Sequence, residues 1–133
     1  MAELVVVLPV LILFAIGVMD YSRVFFRALI VANAARAGAE WAAFQPAGTP
    51  GTGIQGFAQL DGQEIGGLIV NTQQVCRCGD NVVSCSSSCA GYGPPRAYTQ
   101  VTAVDTVALL IRYPGLPSRI GISRTATFRN SNN

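Results

Sequence analysis

Leu4–Met19 reads LVVVLPVLILFAIGVM, sixteen residues without a polar side chain, and a single carboxylate, Glu3, stands at its front edge. As a helix rising 1.5 Å per residue this run is about 24 Å long, against a bilayer hydrocarbon core of about 30 Å. A helix that is apolar all round has to be buried on every side. Lipid, or other copies of the same helix, must cover it. After Asp20 the apolar character resumes at Tyr21, Val24, Phe25, Phe26, Leu29, Ile30 and Val31, and helix formers continue through ANAARAGAEWAA to Phe44. Pro46 and the run AGTPGTG cannot extend a helix. The pattern predicts one helix of about forty residues, from near residue 2 to near 44, as a unit spanning 1–44. A second unit, 45–133, follows it.

The rest of the chain has a different composition. Overall, 50% of its 133 residues are hydrophobic and 12% charged, with mean hydropathy +0.40, too apolar for an ordinary soluble domain of this size. The excess lies in the first 44 residues; from Gln45 onward Gly, Ser, Thr, Gln and Asn dominate. The small second half of the helix, rich in alanine and containing Gly38, suits either close approach to another helix or plain helix propensity.

Beyond the Pro/Gly loop, Ile54, Phe57 and Leu60 or Asp61 have helical spacing and predict a short second helix. Leu68–Cys78 and Val82–Cys85 read as extended runs flanking the turn residues Gly79, Asp80 and Asn81. Tyr98–Tyr113 is a long β-prone run with Val101, Ala103, Val107, Leu109 and Ile111 on one face. PGLPS marks a turn. Ile120, Ile122, Ala126 and Phe128 then alternate with polar neighbours as in a final strand. The expected fold class is α+β: a long helix, then a small antiparallel sheet.

Several chemistries are disfavoured. Histidine, the commonest general base and metal ligand, is absent, and neither paired carboxylates at a motif spacing nor a phosphate-binding glycine loop is present. These features point away from an enzyme and from any cofactor. The net charge of +2 comes from nine arginines spread along the chain, which argues against nucleic-acid binding. Cys76, Cys78, Cys85 and Cys89 are an even set in a polar stretch beside a membrane-type segment, which suggests disulfides formed outside the cytoplasm. Their C-x-C, six residues, C-x-x-x-C order does not fit the usual zinc spacing, so no metal is expected. Four cysteines allow three connectivities; a nested pair across the hairpin, Cys78–Cys85 and Cys76–Cys89, is the favoured expectation, with the others open.

Glu3 has two readings. As an acid in the first helical turn it interacts favourably with the macrodipole, by at most about 1 kcal/mol. Alternatively it pairs with an α-amino group at the start of a neighbouring chain, which at 4 Å and an effective dielectric near 20 is worth about 4 kcal/mol and would set the axial register between copies. Met1 and Glu3 are then the candidate registration residues. Pro9 lacks an N–H and clashes with the carbonyl of Val5; it is either a tolerated kink or a turn that melts or stretches in an assembly. Asp20, Arg23 and Arg27 form a polar collar where the apolar segment ends, read as a solvated or inter-subunit salt-bridge ring.

The pattern ELVVVLP at Glu3–Pro9, the acid-aromatic-x-Arg of Asp20, Tyr21 and Arg23, and NAARAGA at Asn33–Ala39 resemble the TadE-like family, minor pilins of the tight-adherence branch of type IV pili. The strand Val101–Tyr113, the PGLP turn and the terminal SRTATFR are similar to that family's closing half. The resemblance implies a disulfide-stapled, pilin-like fold and a structural role, with a prepilin peptidase cutting a precursor at the membrane face. It also implies residence in the bacterial inner membrane before assembly, then an extracellular filament of this chain or a co-assembly with another pilin. Pilin-like chains usually place the glutamate at the fifth mature position, and here it is third. That Met1 follows no basic leader agrees with a processed chain. The rival expectation is a single-pass anchored adhesin or sensor that does not polymerise.

Overall fold

The computed structural model describes residues 2–46, 48–91, 93–112 and 114–130. Helix α1 spans Ala2–Ala43 and α2 spans Gly51–Asp61. Strands β1 (Ile69–Cys78), β2 (Asn81–Val83), β3 (Arg96–Ala108) and β4 (Arg119–Arg129) follow. They form one antiparallel sheet in the order β2-β1-β3-β4. The long helix and small antiparallel sheet expected from the sequence are both present.

At about 1.5 Å per residue, the 42 residues of α1 extend roughly 63 Å, and only the second half has a partner within the chain. Val31, Ala34, Ala35, Gly38, Ala39 and Ala42 are buried and recur at spacings of three and four, which makes one continuous stripe. This stripe faces β3, β4 and α2. Small side chains here let the sheet and α2 sit close to the helix axis. Gly38 is the tightest point: a Cβ there would lie 2.8 Å from the Cβ of Ala58 and 3.3 Å from Cγ1 of Val101. The alanine-rich half is therefore consumed in the chain's own core, not held in reserve for a neighbouring helix.

Strand β3 alternates strictly, with Ala97, Thr99, Val101, Ala103, Asp105 and Val107 facing the helices. The expected face extends no further than Val107. Beyond Ala108 one more in-register bond forms, from Leu109 N–H to the Ser118 carbonyl, and the chain then leaves the ladder as Leu110 N–H donates to Asp20. Tyr113 lies outside the described residues. On α2 the buried pair is Ile54 and Ala58, one turn apart, while Leu60 is exposed and Phe57 stacks on Trp41 at 6.0 Å between ring centroids. The expected Ile54–Phe57–Leu60 stripe is thus rotated by one position. Two apolar side chains suffice because the facing surface of α1 is made of glycine and alanine.

Residues along β3 meet α1 in reverse order. Leu110 lies at Asp20 and Asp105 at Arg27, Val101 lies beside Gly38, and Thr99 is linked through Asn130 to Ala42. The strand therefore runs antiparallel to the helix. Its start, with the β1–β2 hairpin, forms the end of the molecule opposite the apolar half of α1.

Candidate functional site

From Val5 to Phe14 every residue of α1 is exposed, Val5 at 73% and Phe14 at 71%. The helix runs through Pro9 without interruption. Cover from the sheet unit starts at Gly17, which shares a cleft with Leu109, Leu116 and Ile120, and the first fully buried residue is Asp20. The eighteen residues Ala2–Met19 correspond to about 27 Å, close to the thickness of a hydrocarbon core. Past Asp20 the outward side stays apolar at Tyr21, Phe25, Phe26 and Leu29, with Tyr21 and Phe25 stacked at 6.4 Å. The helix is long and apolar enough to serve as a membrane anchor. Beside the Asp20 level, Leu110 and Leu116 in the 109–118 loop are also exposed, which widens the apolar zone at that height.

The polar collar differs from its expectation. Asp20 pairs with neither Arg23 nor Arg27; its Oδ1 accepts a hydrogen bond of 2.9 Å from the backbone N–H of Leu110. Arg27 reaches Asp105 instead, Nη1 to Oδ2 at 3.0 Å, and the Asp105 carboxylate is almost wholly buried. Arg23 is exposed. The collar is thus an intramolecular seam that fixes the sheet on the helix where the bare segment ends. Asp20 and Leu110 are 90 positions apart, and Arg27 and Asp105 are 78 apart. Helical spacing within residues 20–27 carries no trace of such partners. Asp105 left one signal: it falls in phase with Val101, Ala103 and Val107, and an acid on an inward face requires a partner.

At the far end of α1 sits a residue that sequence reasoning missed. Asn130 is 3% exposed; its Nδ2 donates to the Ala42 carbonyl at 3.3 Å, and its Oδ1 accepts from the Thr99 hydroxyl at 3.0 Å. One side chain thereby satisfies a helix-terminal carbonyl and ties β4 to it. The preceding sequence gives no periodic signal for this.

All four cysteines form disulfides, but in a different pairing from the favoured one. The bonds are Cys76–Cys85 and Cys78–Cys89, with Cα–Cα distances of 5.1 and 5.5 Å. The register explains it. Gly79, with φ 62°, supplies the left-handed residue of a tight turn, so Cys78 pairs with Asn81 and Cys76 with Val83. Cys85 is carried past Cys78 to the level of Cys76, and Cys78 is left for Cys89. Met1 lies outside the described residues. Glu3 lies in the first turn of α1, and its side chain is likewise outside what the structure describes.

Residues 1–40 match the family model described as TadE-like protein. Most of α1 is therefore similar to that family. The match takes in the bare half, Pro9, Asp20, Arg23 and Arg27, and most of the small-residue stripe, and it ends just before Trp41. The sheet and its disulfides lie beyond the matched segment. Comparison with curated proteins gave no match, and comparison with solved structures gave none either.

Proposed function

We propose that this chain is a pilin-like structural subunit that polymerises into a Tad-type filament through its TadE-like helix. The observation that carries this reading is the exposure of every residue from Val5 to Phe14, in a helix whose second half buries a stripe against its own sheet and α2. In the inner membrane, lipid covers the bare half. After assembly, the bare halves of neighbouring copies, or of another pilin, cover one another. Successive copies meet through different patches, so the assembly is open and helical. Glu3 compensates the α-amino group of the neighbouring chain, which sets the axial register, and the turn around Pro9 is the place where the helix stretches or melts on packing. A prepilin peptidase cutting a precursor would free that amine. The filament is extracellular, and the role is cohesive, not catalytic.

Electron microscopy of material sheared from cells tests this. Fibres containing the chain are expected from the native protein. Glu3→Ala should abolish them while membrane extraction and thermal unfolding of the chain stay unchanged, because hydrophobicity alone suffices for an anchor. Fibres undiminished in Glu3→Ala, or dispersed particles in every preparation of the native chain, would overturn the proposal in favour of a single-pass binding module.

A further inference from the structure

The outward face of the sheet ends in a group of unneutralised arginines. Arg77 on β1 is the direct cross-strand partner of Arg96 on β3, and Arg129 on β4 is opposite Tyr98, two residues further along β3. Because partners and alternate residues share a face, all four lie on the side of the sheet away from the helices. Directly opposed side chains have Cβ atoms about 5 Å apart, and like charges placed so are destabilising. None of the three guanidinium groups is ion-paired or hydrogen-bonded to a described residue; Asp80, in the adjacent turn, makes no ion pair with Arg77. An open pocket of about 340 Å³ lies at this position, lined by Arg77, Arg96, Tyr98 and the Cys78–Cys89 disulfide. The two disulfides tie β1, which carries Arg77, to the segment around Cys85 and Cys89.

Elsewhere on the same face hydroxyls and amides alternate with a few apolar side chains, Ile69, Val75, Val82 and Val104. Gln73 opposes Gln100, which opposes Thr127, and Thr102 opposes Thr125 with their hydroxyls 3.0 Å apart. Such a surface offers paired donors and acceptors to a partner that is itself rich in hydroxyls. Three spaced cations and one aromatic ring are too few for a nucleic-acid footprint, which draws on a concentrated basic face.

We propose that this tip is a binding face for an acidic polysaccharide. The carboxylates of its uronate units are held in bidentate fashion by Arg77, Arg96 and Arg129, a sugar ring lies against Tyr98, and the glutamines and threonines take the ring hydroxyls. The face lies at the end of the molecule opposite the bare half of α1, so membrane insertion leaves it free. The proposal needs no filament; it concerns a surface present on each copy.

The test uses the full chain in detergent micelles, with alginate, neutral dextran and duplex DNA as probes, by calorimetric titration at several salt concentrations. Alginate should bind and weaken with salt. Arg77→Ala, Arg96→Ala and Arg129→Ala should each weaken it by about three- to tenfold, an effect of about 1 kcal/mol, and Arg96→Lys by less. Arg119→Ala removes the same charge at the other end of the sheet, level with Ala108, and should leave alginate affinity unchanged. Circular dichroism melts establish that the variants fold. Absence of alginate binding, equal binding of dextran, tighter binding of DNA, or an equal loss in Arg119→Ala would each overturn the assignment. Because micelles hold dispersed copies, failure here is distinguishable from failure of filament assembly.

Discussion

Arg27 of α1 and Asp105 of β3 form an ion pair of 3.0 Å in which the cation is 35% exposed and the carboxylate 4%. The asymmetry makes their substitutions unequal. Arg27→Met should lower stability by about 1–3 kcal/mol, because it leaves a buried charge without its cation, whereas Asp105→Asn keeps an acceptor and should lose less. Thermal unfolding followed by Trp41 fluorescence checks the order. Equal losses would mean that Asp105 is held chiefly by other contacts.

Gly38 and Gly56 are both helical glycines, and alanine should act at them with opposite signs. At Gly56 a new Cβ meets nothing within 4 Å, so Gly56→Ala should stabilise by about 0.5–1 kcal/mol through helix propensity. At Gly38 the contact with Ala58 outweighs that gain, and Gly38→Ala should destabilise by about 1–3 kcal/mol. Chemical denaturation of the two variants in parallel gives the comparison.

The disulfide register is testable by counting thiols. Joint replacement of Cys76 and Cys85 by serine should leave one disulfide and no maleimide-reactive thiol, with a loss of about 2–3 kcal/mol. Replacing Cys76 and Cys89 together should leave two reactive thiols. The nested pairing predicts the reverse.

Asn130→Ala should cost about 1–3 kcal/mol by leaving the buried Thr99 hydroxyl without its acceptor and a helix-end carbonyl without a donor. Asn130→Asp should be worse, since it points a negative charge at the carbonyl end of α1. Hydrogen exchange should rise in the last turn of α1 and at the end of β4, and leave the Arg27 region unaffected.

The parts of the fold legible in the sequence were those governed by local periodicity. Helix α1 ends at Ala43, one residue from its expected limit, because the chemistry of Pro46 and the glycines is local. The β1–β2 turn was legible for the same reason. Where β3 stops was not: Leu109 and Ile111 continue the pattern, and it is Asp20, brought in from the far end of the chain, that takes the backbone N–H of Leu110 between them. The alanines of α1 left two readings open, and burial against α2 and β3 decides the use of that face. The sequence places Asp20 and Arg27 in a solvated or inter-subunit ring, and their intrachain partners could not be read there because they come from the far end of the chain. The disulfide pairing failed on a shift of two residues in hairpin register, which composition does not encode.

Because Asp20 and Arg27 bolt the sheet to the rod at the point where the bare stretch stops, anchor and head have no swivel between them. A pull applied at the arginine tip passes through β3 into the rod as into the handle of a rigid tool, and whatever grips the oily end feels both the force and its direction.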